Sequence, residues 1–276
     1  MTAGIGEDFL RNIKYVRGKL PQHTLDWSNM PAQYKTYEGA ERISLPEPVV
    51  QDGPDIWKVI WKRRSVRAYT DDVMPLNDLS QILWATQGVR ETVSGANCDF
   101  KLRTSPSAGA LYPIETYLYV NRVDGLKQGL YHYVIGDHTL ELIKEGDYSQ
   151  EVRGGALDQQ IAQNAAVVFI WTAIIERSSW KYLQRAYRYI FLDAGHIAQN
   201  LALAVEALDY GSCQVGAIYD DEINYLLNLK VFKTVVFCYA LSLDPVYILE
   251  IRIFRNYALR YLSNNLRNRD FLFFFL

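Results

Sequence analysis

The chain has 276 residues, of which 49% are hydrophobic, and its 29 basic and 31 acidic residues give a formal net charge of -2. This length and composition allow a buried core in one domain or in two small ones, and the balanced charge argues against general nucleic-acid binding. The three cysteines, Cys98, Cys213 and Cys238, form no C-x-x-C pair, which indicates a reducing compartment and neither a disulfide framework nor a metal site. The start of the chain has no signal-peptide pattern, and no apolar run reaches the ~20 residues of a membrane span. We therefore expect a cytoplasmic protein.

The first 53 residues differ in composition from the rest of the chain. They are rich in turn formers and aromatic side chains, and they end in Leu45-Pro46-Glu47-Pro48. Two prolines so close together do not fit inside a helix or a central strand. We predict that 1–53 is a lead-in segment that wraps the surface of a main domain at 54–244, and that 245–276 is an atypical C-terminal extension.

Helical spacing of apolar residues begins after the lead-in segment. Ile56, Val59 and Ile60 follow Pro54, a residue suited to a first helical turn. A second helix is predicted from Pro75 to a stop at Gly88. The apolar face of this second helix consists of Leu76, Leu79, Ile82 and Leu83.

Strand patterns come next, together with one long helix. Five strands are predicted, at 115–121, 129–135, 138–143, 165–174 and 233–243. A Gly136-Asp137 turn makes the second and third of them a hairpin, and the nearly unbroken apolar run of the fourth is typical of burial on both faces. A helix is predicted over 180–208, ending before Gly211. This order of elements indicates an α+β domain with a mostly antiparallel sheet.

A basic segment, residues 62–67 with the sequence KRRSVR, comes after the first of these helices. Its three guanidinium groups and one hydroxyl match the geometry of phosphate oxygens, which predicts an anion clamp. A solvated basic helix end, which the helix dipole favours, fits the same residues. Both interpretations are open on this segment alone.

Two further segments carry small residues where a flat ligand could approach the backbone. Residues 104–113, TSPSAGALYP, lie directly before a predicted strand, and two prolines stiffen them. Residues 211–217, GSCQVGA, precede an acidic helix start at Asp220 and are interpreted as a glycine-lined turn that offers backbone N–H groups. An ordinary loop is the alternative in each case.

Other catalytic signatures are missing from the sequence. It contains no G-x-G-x-x-G after a strand, no G-x-x-x-x-G-K-[ST] and no H-E-x-x-H, and the serines at 105 and 107 lack the glycine of a nucleophile elbow. These absences argue against a Rossmann dehydrogenase, a P-loop enzyme and a metal hydrolase.

Taken in order, the segments resemble the nitroreductase superfamily, specifically its SagB-type (McbC-like) branch. The matching pieces are RRSVR, SPSAGALYPIE, GLYHY, the stretch WKYLQRAYRYIFLDAGHIAQNLALAVEAL and GSCQVGAIYDDE, and the lead-in segment is similar as well. The resemblance spans roughly residues 20 to 243. It implies a nitroreductase-like sandwich, with 54–244 as the FMN domain, and an obligate homodimer packed through the helix that contains DAGHIAQNL.

The resemblance also implies an FMN site with residues from three segments. Those implied near the phosphate and ribityl chain are Arg63, Arg64, Ser65 and Arg67. Those implied to reach the flavin bound mainly by the other subunit are Pro106, Ser107, Ala108 and Gly109. Those implied at the flavin edge are Val215, Gly216 and Ala217. Donors and cations in such a site stabilise the charge that hydride transfer to N5 leaves on the ring.

By the same resemblance, Lys181 and Tyr182 match a Lys-Tyr pair that assists proton removal in azoline oxidases of ribosomal peptide pathways. Both residue types suit general acid–base work, and Arg185 and Arg188 are candidates to depress a lysine pKa. A lysine at a helix start beside a packing tyrosine is the structural alternative.

Three functions are carried forward from the sequence. The first is an FMN-dependent azoline or peptide oxidase, which would require a cyclodehydratase partner in trans. The second is a stand-alone reductase of nitro or quinone acceptors with NAD(P)H as electron donor, and the third is a flavin-free scaffold subunit. The C-terminal extension contains five arginines and ends in FLFFFL. We favour packing on a partner subunit, or an extension without a function, over contact with a membrane surface.

Overall fold

A seven-stranded antiparallel sheet lies at the centre of the protein. The computed structural model describes residues 4–96, 98–229 and, for the backbone, 236–243. The strands are β1 (Glu41–Ser44), β2 (Val89–Ser94), β3 (Asp99–Arg103), β4 (Ile114–Val120), β5 (Gly129–Val134), β6 (Thr139–Glu145), β7 (Val167–Ala173), β8 (Tyr210–Val215) and β9 (Val236–Leu243). The sheet order is β1-β6-β5-β4-β7-β9-β8, and β2 and β3 form a separate two-stranded hairpin.

Helices cover both faces of this sheet. The α-helices of the described residues are α1 (Ile5–Asn12), α2 (Ile56–Lys62), α3 (Leu76–Gln87), α4 (Ser149–Gly155), α5 (Gln160–Asn164), α6 (Ile175–Tyr182), α7 (Ala186–Ala207) and α8 (Asp220–Leu226). Helices α3 and α7 pack on one face of the sheet. Helices α4, α5 and α8 pack on the other. This arrangement buries both faces of the central strands.

The central strands β4 and β7 are buried along their whole length. Alternate residues of β4 serve opposite cores, with Leu118 facing the α3 and α7 side and Tyr117 facing the α4 side. This alternation results from the two-residue period of a strand. A strand placed between two helical layers is mostly apolar, which explains why the predicted buried run proved to be β7.

Most of the predicted elements are confirmed. The two predicted helices are α2 and α3, and α3 ends at its predicted stop, Gly88. The predicted strands correspond to β4, β5, β6, β7 and β9, and the predicted hairpin pairs β5 with β6. The α+β class with a mostly antiparallel sheet is therefore confirmed. Residues 233–235 of the last predicted strand, and the predicted extension 245–276, lie outside the described residues.

The long helix predicted over 180–208 is wrong in its first turn. Helix α6 already ends at Tyr182, and a short 3₁₀ turn separates it from α7. Leu183 adopts a left-handed φ of 49°, which a continuous helix does not allow. Apolar periodicity runs through the break, so the pattern alone did not reveal it.

Residues 210–215 also differ from their prediction. They form the edge strand β8, which pairs with β9, and only the residues after Val215 are a loop. The glycine that suggested a turn, Gly211, lies within the strand against Val66, where a Cβ atom would lie 2.6 Å from a Val66 methyl carbon. Close packing of neighbouring segments, and not a turn, explains this glycine.

The lead-in segment contributes to the sheet as well as to the surface. Its strand β1 pairs with β6 at the sheet edge. Farther upstream, the Trp180 indole N–H on α6 donates to the Asp26 carbonyl over 2.8 Å, and the Trp27 and Trp180 rings meet edge to face. The division of the chain at residues 53 and 244 stays a prediction. Within the described residues, no helix has the length and apolar character needed to cross a membrane.

Candidate functional site

The basic segment runs alongside β8. Arg63 caps the C-terminal end of α2, and the next residues leave the helix in an extended path. The Val66 N–H donates to the Ser212 carbonyl over 2.8 Å, and Ser65 forms a parallel bridge with Ser212. Two of the predicted ligand-binding segments are therefore neighbours in space.

The guanidinium groups of this segment are accessible to an anion. Arg64, Ser65 and Arg67 are exposed, and Arg63 is half-buried. Within the part of the chain that the structure describes, neither Arg63 nor Arg67 forms an ion pair with a carboxylate. Two such cations beside an exposed hydroxyl fit the oxygens of a phosphate.

The end of β8 lies three residues beyond this bridge. Val215 is buried, whereas Gly216 and Ala217 are exposed, and a Cβ atom at Gly216 would meet no atom within 4 Å. With the rise of a strand, Ser212 and Val215 are separated by about 10 Å. The basic segment and the β8 end thus form one surface, cationic at one end and with open backbone at the other.

The 104–113 loop joins β3 to β4 and is tied to α7. The Ser107 hydroxyl donates to one carboxylate oxygen of Asp193 over 2.6 Å, and the Ala108 N–H donates to the other over 3.2 Å. The Ser107 oxygen in turn accepts the Tyr112 N–H over 2.9 Å. The buried Asp193 carboxylate therefore holds the start of this tight turn directly, and it holds the end at Tyr112 through the Ser107 oxygen.

Lys181 and Tyr182 lie against this loop. A Cβ atom at Gly109 would be 2.6 Å from the Tyr182 hydroxyl oxygen and 3.1 Å from Lys181 Nζ. Lys181 Nζ also lies 5.6 Å from the centre of the Tyr182 ring. The structure brings together the loop and the Lys-Tyr pair, which are about 70 residues apart in the sequence.

The surroundings of the pair differ in two respects from those predicted. Lys181 lies in the last turn of α6 and is half-buried, not at a helix start. Arg185 is engaged elsewhere, since its guanidinium donates to the Ile13 carbonyl over 2.6 Å and to the Tyr189 hydroxyl over 2.9 Å. Burial raises the pKa of Tyr182, and the neighbouring Tyr189 raises it further. The Tyr182 hydroxyl is therefore held in its protonated form.

Sequence reasoning missed a buried charged network beneath the loop. Arg177, on α6, donates to the Glu115 carboxylate and, over 3.2 Å, to the Tyr112 carbonyl. His132 lies between Glu115 and Glu141, with ring nitrogens 2.7 and 3.1 Å from their oxygens. Glu115 is buried, which raises its pKa, but the contacts with His132 and Arg177 outweigh that effect and lower it. The only sequence signal was a charged residue within apolar strand and helix patterns.

The predicted site residues form two groups in the structure. Arg63, Arg64, Ser65 and Arg67 lie with Val215, Gly216 and Ala217 beside β8, and Pro106, Ser107, Ala108 and Gly109 lie with Lys181 and Tyr182 beside α7.

Several known proteins are similar to this chain in sequence. A family model described as "Nitroreductase family" matches residues 60–242. The chain is 37% identical to "Putative nitroreductase MJ1384" of Methanocaldococcus jannaschii over 63% of this chain and 84% of that protein. It is 30% identical to the trifolitoxin-processing protein TfxB of Rhizobium leguminosarum over 46% of this chain and 35% of that one. It is 28% identical to the microcin B17-processing protein McbC of Escherichia coli, over 38% and 41%. The alignments thus span less than half the length of the two processing proteins.

Solved structures share the fold. A nitroreductase-like protein of Anabaena variabilis superimposes with a TM-score of 0.73 at 28% identity, over 88% of this chain and 46% of that chain. A chain of the Escherichia coli microcin synthetase McbBCD complex superimposes with a TM-score of 0.54 at 17% identity, over 86% and 91%. At that identity the second match concerns the fold alone.

Proposed function

Because the chain belongs to the nitroreductase family, we propose that it is an FMN-dependent oxidoreductase that moves hydride through flavin N5. The observation that carries the proposal is the contact of Lys181 and Tyr182 with the 104–113 loop. This contact supports the proposal because two residue types suited to proton transfer lie beside a loop of small residues.

The basic segment and the β8 end fit FMN in their chemistry. Arg63 and Arg67 carry charges without carboxylate partners among the described residues, as a phosphate site needs. Arg64 and Ser65 extend the donor set along the same exposed segment. The open backbone at Gly216 and Ala217 leaves room for a ring edge, with Val215 packed behind it. FMN would supply a two-electron acceptor in this place.

A homodimer would bring the two groups of residues together. Helix α2 exposes Ile56, Trp57, Ile60 and Trp61, with Trp57 75% and Trp61 89% exposed. Phe191 and Leu192 are exposed on α7, the helix against which α2 packs. An apolar face of this kind favours burial against another protein surface. We infer that a second copy covers it, so that the loop of one subunit completes the site of the other.

Within this function, we favour oxidation of a peptide azoline ring. Such an oxidation releases a hydride and a proton from the substrate, and Lys181 and Tyr182 are placed to take the proton. The similarity to TfxB and McbC, named for trifolitoxin and microcin B17 processing, supports this choice. A cyclodehydratase acting in trans would form the azoline ring.

A stand-alone reductase of nitro or quinone acceptors, with NAD(P)H as donor, is the second candidate. The 37% identity to the Methanocaldococcus jannaschii protein favours it. Such a reaction needs no base at Lys181 and Tyr182, which separates the two candidates experimentally.

Cofactor analysis and flavin reduction test the proposal. We expect the purified protein to show a flavin absorption spectrum and to release FMN, not FAD, on heating. A thiazoline-containing peptide and NADPH are then mixed separately with the oxidised protein under anaerobic conditions. Reduction by the peptide supports the oxidase, and reduction by NADPH alone supports the reductase. A colourless protein that does not bind added FMN contradicts both the oxidase and the reductase. The remaining function is then that of a flavin-free scaffold subunit.

A further inference from the structure

Asp193 lies in the middle of α7, with its side chain turned toward the 104–113 loop. Only 3% of the residue is exposed, and both carboxylate oxygens accept hydrogen bonds, from the Ser107 hydroxyl and from the Ala108 N–H. The cleft between this loop and α7 is too narrow for a water molecule. Removal of the carboxylate would leave the Ser107 hydroxyl and the Ala108 N–H without this partner.

The loop adopts a backbone that its sequence does not favour. Gly109, Ala110 and Tyr112 have φ values of 65°, 54° and 46°, and two of these residues carry side chains. Left-handed backbone at a non-glycine residue costs free energy and persists only where surrounding contacts impose it. The bonds to Asp193 at Ser107 and Ala108 are such contacts.

The other end of the loop is fixed by a charge of opposite sign. Arg177 donates to the Tyr112 carbonyl and is itself held by Glu115. Arg177 belongs to α6, which carries Lys181 and Tyr182 within the following turn and a half. The buried polar contacts of Arg177 therefore connect the loop to the helix that carries the Lys-Tyr pair.

We propose that Asp193 is a positioning residue that holds the 104–113 loop at the distance from Lys181 and Tyr182 that substrate oxidation requires. Its carboxylate fixes the turn at Ser107 and Ala108, and the turn places Gly109 against the pair. This inference rests on the proposed oxidoreductase function, since it assigns a role in the same site. Burial of the carboxyl raises the pKa of Asp193, and the hydrogen bonds from Ser107 and Ala108 oppose that rise.

Hydrogen exchange of the loop amides tests whether Asp193 holds the loop in place, and it needs no activity measurement. In the FMN-free protein, Asp193→Ala should speed exchange at Ala108 and Tyr112 by ~10- to 100-fold, the equilibrium effect of losing a hydrogen bond to a charged group. Asp193→Asn keeps one acceptor oxygen and should give an intermediate increase. Ser107→Ala removes one donor to Asp193 and the acceptor of the Tyr112 N–H, so exchange at Ala108 alone is the measurement if the Asp193 variants fold poorly.

Asp147 offers a matched control. Its carboxylate also accepts one hydroxyl and one backbone N–H, from Tyr119 over 2.8 Å and from Ser149 over 2.9 Å. Asp147→Ala should leave exchange at Ala108 and Tyr112 unchanged while it loosens the start of α4. Equal exchange at the loop in wild type and Asp193→Ala would overturn the proposal.

The rate of flavin reduction tests whether Asp193 matters for the reaction. With the thiazoline peptide as substrate, Asp193→Ala should lower kcat more than it raises KM and should retain FMN. Faster loop exchange with unchanged kcat would also overturn the positioning role. A wild-type protein that binds no FMN contradicts the proposed function, and the role of Asp193 in it, while the exchange result still decides whether Asp193 anchors the loop.

Discussion

The hydroxyl oxygen of Tyr182 lies 2.6 Å from the point that a Cβ atom on Gly109 would occupy. Gly109 also has a φ of 65°, a left-handed backbone that favours glycine. The Lys-Tyr pair thus packs on bare backbone, and any side chain at residue 109 would displace it. Substitutions at Gly109, Lys181 and Tyr182 therefore test the proposed function most directly.

Gly109→Ala should reduce substrate-driven flavin reduction by roughly 10²-fold, the effect of misplacing reacting groups by about 1 Å. The left-handed backbone should also lower the free energy of unfolding by ~1–2 kcal/mol. Gly125→Ala is the matched control, because Gly125 has a φ of 74° and open space around its Cβ position. Denaturant unfolding and stopped-flow flavin reduction of both variants separate the effects. Equal activity in the two variants would mean that the contact with Tyr182 is not used.

Tyr182→Phe keeps the ring contact with Tyr189, 4.7 Å between centroids, and removes the hydroxyl. Lys181→Met keeps an apolar stem of similar length. If the pair takes the substrate proton, each change should slow reduction by the thiazoline peptide by ~10²–10⁴-fold, the usual effect of losing a general acid or base. FMN content and reoxidation by oxygen should be unchanged.

Tyr225→Phe serves as the control for this pair, since Tyr225 is 84% exposed on α8. Full-speed reduction by the peptide in both Tyr182→Phe and Lys181→Met would assign the pair a packing role. Full-speed reduction by NADPH in the same variants, with peptide reduction absent even in wild type, would support the reductase.

Arg67→Ala should weaken FMN binding by ~1.5–3 kcal/mol, the contribution of a hydrogen bond to a charged group. The fold should be retained, because Arg67 is exposed. Arg90→Ala, an exposed arginine paired with Glu91 on the β2–β3 hairpin, is the control for the loss of one positive charge. Fluorescence titration with FMN measures both. An unchanged dissociation constant for Arg67→Ala would remove this residue from the phosphate clamp.

Trp61→Glu should convert a homodimer to monomers, since the substitution places a charge in an apolar face that a second copy would cover. Light scattering at micromolar concentration measures the oligomeric state. We expect the FMN affinity of the monomer to fall as well, because the partner's loop is then missing. Tyr225→Glu changes an equally exposed aromatic residue on α8 and should leave the dimer intact. A monomeric wild-type protein that binds FMN would contradict the shared site.

Local patterns in the sequence determined much of the fold. The spacing of Leu79, Ile82 and Leu83 predicted α3, and the apolar run 165–174 predicted β7, because burial on one helix face or on both sheet faces repeats with a fixed period. The basic segment and the 104–113 loop were also found from residue type and order, whereas the Lys-Tyr pair was found through the resemblance to a known family.

Only the tertiary structure decided how these parts meet. Asp193 reaches Ser107 across 86 residues. Tyr182 lies against Gly109 at the end of α6, where a 3₁₀ turn separates α6 from α7. Apolar periodicity continues through that break, and a glycine inside β8 resembles a glycine in a turn. Periodicity records which side of an element is buried, whereas the partner of each buried side is set by the packing of the sheet and helices.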